Sequence, residues 1–243
     1  MLQQKIKRAF NRAANSYDEH CHLQWHIGNE LIDLLKTHAP KGRVVDLGCG
    51  TGLITEKLLT TFSFQESHAV DFAEILLQKA NERLATHNVF VHCADFENLK
   101  PIENTFDLMF SNMALHWSQH LPATLSNLIQ QHLNPQGLLA FSIPITGTLK
   151  ELIPHFAVQS FFASQSIIDI LHNNYCRLLT AIETPIILDF PNALSALRSL
   201  KKVGANATSM SLSLNAPSKS SIRNLSFSQL TYHIGYFIAQ RGI

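Results

Sequence analysis

A chain of 243 residues, 46% of them hydrophobic, is long enough for one large α/β domain with an insertion, and two small domains remain possible on length alone. Charged residues make up 15% of it, against about 25% in an average soluble protein, and the formal net charge of +1 excludes a general electrostatic pull toward nucleic acid or membrane. Cys21, Cys49, Cys93 and Cys176 form no CxxC pair and the 13 histidines lack ligand spacing, so reduced thiols and no metal site are expected.

The opening "MLQQKIKRAFNRAANSYDEH" is polar and amphipathic, and no later stretch reaches about 18 uninterrupted apolar residues, which predicts a soluble, cytoplasmic protein. The first 38 residues precede any strand and read as helix, with Ile27, Leu31, Leu34 and Leu35 at core spacing. Short apolar or β-branched runs then alternate with helical patterns. The stretches "RVVDLG", "SHAVDF", "NVFVHCAD", "FDLMFSN" and "GLLAFSIP" read as strands, and Leu53 to Leu59, Glu74 to Thr86 and Pro122 to His132 as helices. That alternation predicts a parallel, doubly wound sheet. A turn signal, Asn134-Pro135-Gln136-Gly137, precedes the fifth strand. Beyond it come a Phe-rich helical segment from His155 to Leu171, a sixth strand "TPIILDF" and an amphipathic helix "NALSALRSLKKVGA". A Ser- and Asn-rich loop and a last strand, "LTYHIGYFIAQ", close the chain.

The chemistry is concentrated in "VVDLGCGTG". Gly48, Gly50 and Gly52 allow a tight turn and close approach of backbone to a ligand. A dinucleotide fold would show G-x-G-x-x-G, whereas here the third glycine comes one residue earlier and Asp46 sits on the strand just before the turn. A carboxylate there repels a pyrophosphate and attracts the sulfonium and ammonium of S-adenosylmethionine. Asp71 ends the second strand, placed to accept ribose hydroxyls, with Phe72 able to lie against an adenine. Asp95 ends the third strand in "CADF", where the carboxylate or its neighbouring backbone can meet the adenine amino group. Cys49 in the turn and Phe96 beside Asp95 complete the expected cofactor contacts on these strand ends.

The stretches "VVDLGCGTG", "AVDFAE", "CADFENL" and "FDLMFSNMALHW" resemble the successive cofactor motifs of class I S-adenosylmethionine-dependent methyltransferases. The resemblance implies an α/β, Rossmann-like, seven-stranded sheet with helices on both faces, and a cofactor- or substrate-facing Asn112 after the fourth strand. Two further stretches, "IKRAFNRAANSYDEHCHLQ" and "FPNALSALRSLKKVGAN", with "SNMALHW" and "LTYH", resemble the BioC family of malonyl-[acyl-carrier protein] O-methyltransferases. That likeness implies methyl esterification of a malonyl thioester, borne by a carrier protein or coenzyme A, early in pimeloyl and biotin synthesis. It also implies a single domain over residues 1–243, with a helical lid at 1–38, a cofactor core at 39–150 and a substrate-side half at 151–243 carrying a helical, substrate-covering insertion at about 191–228. Neither nucleic acid nor membrane is among the expected partners.

Within this frame Tyr17, with Phe10 and Arg12, is expected to close the methyl-transfer chamber, or else to pack and cap an N-terminal helix. His116 and Trp117 follow Asn112, the one as pocket lining or plain helix position and the other as a wall. Arg198 is the candidate cation for the acceptor carboxylate; Arg198, Lys201 and Lys202 at i, i+3 and i+4 form one helix face, with Leu194, Leu197 and Leu200 inward. That face docks an acidic acyl carrier protein or is simply solvated. The BioC likeness leads one to expect a further helix before "LTYH", where this chain is short and Ser-rich. Another small carboxylic acid, a quinone precursor, or cofactor binding without turnover are the alternative readings.

Overall fold

The computed structural model of the protein describes residues 2–99, 102, 105–156, 158–205 and 225–243. Its strands are β1 (Arg43–Leu47), β2 (Glu66–Asp71), β3 (Val89–Cys93), β4 (Phe106–Asn112), β5 (Leu133–Pro144), β6 (Cys176–Asp189) and β7 (Gln229–Arg241). They form one sheet in the order β3-β2-β1-β4-β5-β7-β6, with β7 antiparallel to both of its neighbours and the pairs from β3 through β5 parallel. The alternation of elements predicts the parallel, doubly wound part of this sheet, and the mostly parallel, seven-stranded whole is what the methyltransferase likeness implies.

The two faces of the sheet follow from side-chain alternation along each strand. Val44, Leu108 and Phe110 pack on one face against Ile27, Leu31 and Leu35 of α3 (His22–Leu35) and Leu58 of α4 (Leu53–Thr61). Val45, Leu47 and Met109 pack on the other against Leu121 and Leu125 of α6 (Leu121–Asn127) and Leu171 of α7 (Ser164–Asn173). On the same face as α4, α5 (Glu74–Arg83) covers β2 through Leu77 and Ala80, which pack with Ala69. Leu34 is half-buried beside its fully buried neighbours.

Several boundaries differ from the sequence reading. The N-terminal region is not one helix but α1 (Leu2–Ala13), a 3₁₀ turn at Ala14–Ser16, α2 (Tyr17–His20) and α3. The break falls at Asn15 and Ser16, residue types that favour turns and caps over helix interiors. The Asn-Pro-Gln-Gly turn lies inside β5 as an irregularity: Phe106 pairs with Leu133 but Leu108 with Leu138, and Gln136 has φ +64°. Helix α6 passes into a π-helical turn at Leu128–His132. The Phe-rich segment is helical only from Ser164, and residues 158–163 have no regular structure. The sixth strand is far longer than "TPIILDF"; as the sheet edge, paired with β7 alone, it accommodates Pro185 without losing a ladder bond on its open side.

Helix α8 (Ala193–Lys202) begins where the Asn192 side chain accepts a hydrogen bond from Ser195 N at 3.0 Å, a favourable N-cap. Leu197 and Leu200 are buried, Leu194 is half-buried, and Arg198, Lys201 and Lys202 are exposed. The Ser-rich loop and the expected further helix fall on residues 206–224, outside the described residues. No helix among the described residues is long and apolar enough to cross a membrane.

Candidate active site

The glycine turn leaves β1 beside β4, at the point where strand order reverses and ligands of such sheets bind. Gly48 N and Cys49 N both donate to Val70 O, at 2.8 and 3.0 Å, which fixes the turn on β2. Gly48, at φ +78°, lies so close to Ala114 that a Cβ would stand 2.3 Å from its side chain. At Gly50, φ +58°, a Cβ would meet nothing within 4 Å. One side of the turn is thus packed against protein while the other faces open space.

Asp46 is the buried charge behind this turn, 3% exposed. Its Oδ2 accepts from Thr55 Oγ1 at 2.6 Å, whereas its Oδ1 is buried with no hydrogen-bond partner. Burial raises its carboxyl to about 7. Asp71, also buried, accepts from Gly50 N at 3.0 Å and Ala73 N at 2.8 Å, and burial raises it to about 6. A carboxylate offers about four lone-pair positions, so these two donors leave Asp71 with acceptor capacity. The unpartnered oxygen and the open glycine face fit the cationic methionine end of S-adenosylmethionine and oppose a pyrophosphate.

A pH dependence follows. Both carboxyls titrate higher in the folded, ligand-free protein than in an unfolded chain, so their contribution to stability is greatest at acid pH and declines as pH rises toward 7. A cationic ligand requires the ionised forms. Affinity for S-adenosylmethionine is therefore expected to fall by about tenfold per pH unit between pH 7 and 6, where Asp46 must lose a proton, and more steeply below pH 6, where Asp71 must lose one too. Calorimetry between pH 5.5 and 8 checks this, and a flat affinity across that range refutes it.

The N-terminal helices lie over the site. Asp18 accepts from Thr51 Oγ1 and from Arg83 Nη2, each at 2.6 Å, and Arg83 Nε donates to Thr51 O at 3.1 Å. This ties α2 to the glycine turn. Asp18→Ala is expected to remove about 1–2 kcal/mol of that attachment, read as severalfold faster limited proteolysis before residue 22 with the sheet's circular dichroism unchanged. Asn112 Nδ2 donates to Gln24 O at 2.9 Å while its Oδ1 accepts from Ser142 Oγ at 2.8 Å, linking β4 to α3.

At the adenosine end the picture is more occupied than the sequence suggests. Asp95 accepts from Glu97 N at 2.9 Å and from the Gln3 side-chain amide at 2.8 Å; the same amide reaches Glu97 at 2.5 Å. A primary amide of α1 thus donates into the carboxylate assigned to an adenine amino group. Phe72 is half-buried after β2. The Phe96 ring, 6% exposed, belongs to the hydrophobic core, so its side chain supports the loop rather than offering a stacking face. Cys49 is 8% exposed and lines the pocket, and burial pushes its thiol well up, leaving it protonated at neutral pH.

Two cavities meet at Tyr17 and Gln24. The first, about 40 Å³, is lined by Asp46, Gly48, Gly50 and Asn112 among others. The second, about 60 Å³, is lined by Phe10, His116, Trp117, Gln159 and Tyr232 among others. Tyr17 and Gln24 line both. Among the described residues no Lys, Arg, Asp or Glu lines the second chamber. Burial depresses the His116 imidazole to about 3, so the ring is neutral at pH 7, and its buried Nδ1 has no hydrogen-bond partner. Burial pushes the Tyr17 and Tyr232 phenols upward, so both keep their protons. The Trp117 ring stands edge-on to Phe10 at 5.5 Å.

The structure brings Tyr17, Phe10, His116 and Trp117 to one chamber but not Arg198 or Arg12. Arg198 is exposed on α8 and lines an outer cleft of about 570 Å³ between α8, the end of β6 and the start of α3. Arg12 is exposed in a groove between α1 and α8. Gln24, Thr55, Arg83 and Tyr232 were missed in the sequence. Gln24 and Tyr232 stand in stretches that carry the family likeness, "CHLQ" and "LTYH", yet neither residue type announces a role.

Residues 44–137 match the family described as "Methyltransferase domain". Over 242 residues the chain is 37% identical to "Malonyl-[acyl-carrier protein] O-methyltransferase 2" of Coxiella burnetii, covering 99% of this chain and 97% of that one. It is 32% identical over 234 residues to the malonyl-[acyl-carrier protein] O-methyltransferase of Bacillus cereus, covering 88% and 84%. Among solved structures the YcgJ protein from Bacillus superposes with a TM-score of 0.62 at 12% identity, covering 88% of this chain and 99% of that one, a likeness of fold.

Proposed function

This chain belongs to the malonyl-[acyl-carrier protein] O-methyltransferase family, and on that premise we propose how its residues convert the free carboxyl of a malonyl thioester into a methyl ester. The observation that carries the reading is the pairing of a buried, unpartnered carboxylate oxygen on one side of Tyr17 with an uncharged chamber on the other.

When bound, S-adenosylmethionine supplies the methyl group and the positive charge that faces the acceptor. Asp46 balances its methionine end, and the backbone of Gly48, Cys49, Gly50 and Gly52 lets it approach. Asp71 would accept the ribose hydroxyls beside its two N–H donors, Phe72 would flank the adenine, and Asp95, which now accepts from Gln3, would take the adenine amino group. Asn112 holds Gln24 at the wall between the cavities.

A malonyl carboxylate is ionised at pH 7, so no base is needed to create the nucleophile. Positioning it in line with the methyl group, about 3–3.5 Å away, contributes several kcal/mol. Tyr17, Tyr232 and His116 contribute neutral polar groups, and Trp117 and Phe10 exclude water. The lack of a cation among the chamber's described lining residues is useful, because attacking anion and sulfonium cancel in the transition state. A lysine or arginine there would stabilise the ground state instead. The exposed face of Arg198, Lys201 and Lys202 lies outside the chamber and serves the carrier-borne substrate there, away from the reacting carboxylate.

Radiolabelled methyl transfer to a panel of thioesters tests the acceptor. Malonyl-carrier or malonyl-coenzyme A is expected to yield a base-labile methyl ester and acetyl-carrier none. Label on a free small acid or quinone precursor, with none on either malonyl thioester, sinks the proposal.

A further inference from the structure

The inner chamber, about 60 Å³, adjoins a much larger space whose lining is charged. The outer cleft of about 570 Å³ shares Gln24, Leu200, Val203 and Tyr232 with the chamber, so the two spaces adjoin across those residues. Its volume lies within the roughly 300–1,000 Å³ usual for a bound small molecule. Arg198 and Lys202 line this cleft and also a second groove, of about 330 Å³, between α1 and α8. Arg12 and Lys201 complete the cations of that groove, and no carboxylate lines it among the described residues. Among the described residues none of these four side chains lies within 4.0 Å of a carboxylate oxygen in a salt bridge. The one acid of the cleft, Asp189, is hydrogen-bonded to Gln229 Nε2 at 2.8 Å.

Four cations brought together from two helices far apart in sequence, without a carboxylate among them, repel one another and gain from an anion. A thioester borne by a carrier protein brings two kinds of anion: the acidic protein surface, and the phosphodiester that joins its flexible thiol-bearing arm to that surface. Resting on the function proposed above, we propose that groove and cleft form one track for the carrier-borne substrate. The groove, through Arg12 and Lys201, takes the acidic carrier surface. Arg198 and Lys202, shared by groove and cleft, hold the phosphodiester where the arm turns inward, and the arm runs down the cleft to present the malonyl group past Tyr232. Arg12 thereby has a role at the docking surface rather than at the chamber. The residues involved come from both α1 and α8, so the basic face of α8 that the sequence displays is only part of the site.

Binding separates this proposal from the reaction it serves. The carrier protein with its phosphopantetheine arm but no acyl group, and the same protein without the arm, are titrated against the enzyme by fluorescence anisotropy. The arm-bearing carrier is expected to bind at least tenfold more tightly to the native enzyme. Arg12→Glu is expected to weaken both carriers at least tenfold, and Arg198→Glu to abolish most of the advantage conferred by the arm. Both side chains are exposed, so unchanged circular dichroism and melting temperature are expected and are measured alongside. Equal affinity of the native enzyme for the two carriers, or an arm advantage that survives Arg198→Glu, overturns the track. Methylation assays then distinguish the sources of an effect: Arg198→Glu raises KM for malonyl-carrier and malonyl-coenzyme A more than for a short malonyl thioester without phosphate. An equal loss on the short thioester returns Arg198 to the carboxylate and also overturns the proposal. If carrier binding behaves as expected but no malonyl ester forms, the track stands and the reaction assignment falls.

Discussion

Replacing Asp46 by Asn is expected to weaken S-adenosylmethionine binding at least a hundredfold at pH 8 while leaving the melting temperature unchanged or raising it by a few degrees. The two effects have opposite signs for one reason. Asp46 is 3% exposed, has one oxygen on Thr55 and the other on nothing, and burial holds its carboxyl near 7. At pH 8 the ligand-free protein therefore carries a buried, half-satisfied charge. A buried charge left without its partner costs about 3–5 kcal/mol, which sets the scale of the lost affinity when the acid is removed. The same removal relieves the ligand-free fold. One kcal/mol corresponds to about 2–4 °C in a protein of this size. Calorimetry with the cofactor, together with differential scanning of both ligand-free proteins, checks both signs. Affinity retained within threefold in the Asn variant would show that the carboxylate does not face the ligand.

Tyr17→Ala is expected to lower kcat by at least a hundredfold, about 3 kcal/mol of barrier, with cofactor affinity changed by no more than about tenfold. Tyr17 lines both cavities and is held at the end of the α1–α2 break, next to the Asp18 attachment to Thr51 and Arg83. Truncation opens a passage for water where donor and acceptor must meet, and misplacement by about 1 Å is enough for losses of this order. Tyr17→Phe keeps the wall and is expected to retain kcat within about tenfold. Rapid-quench turnover of both variants decides the matter. Equal losses in Ala and Phe would transfer the role from the wall to the hydroxyl.

The cofactor half was legible because its determinants are local. Asp46 and Asp71 stand at the carboxyl ends of β1 and β2, Asp95 stands two residues beyond β3 rather than ending it, and parallel pairing carries those ends to one edge of the sheet. The chamber was not legible in the same way. Its walls come from α1, α2, the loop after β4, the end of α8 and β7, and contacts such as Gln159 Nε2 with His116 O join positions 43 apart. Charge on α8 could be read from the i, i+3, i+4 spacing, but not which cavity Arg198 borders. That depends on how α8 lies against α1 and α2. Gln3 is the clearest case of something hidden: nothing in "MLQQ" suggests an amide reaching residues 92 and 94 positions away. Local helix breaks such as Asn15-Ser16 were visible as residue types, yet only the packing of α2 over the glycine turn gives them a purpose.

Methyl transfer to a malonyl carboxylate by positioning in an uncharged chamber requires no proton transfer. Single-turnover transfer from labelled S-adenosylmethionine to saturating malonyl-carrier, followed from pH 7 to 9, tests it most directly. A malonyl methyl ester formed at a rate that is flat across this range is the expected result. No ester, or a rate rising tenfold per pH unit as a general base would require, would contradict it.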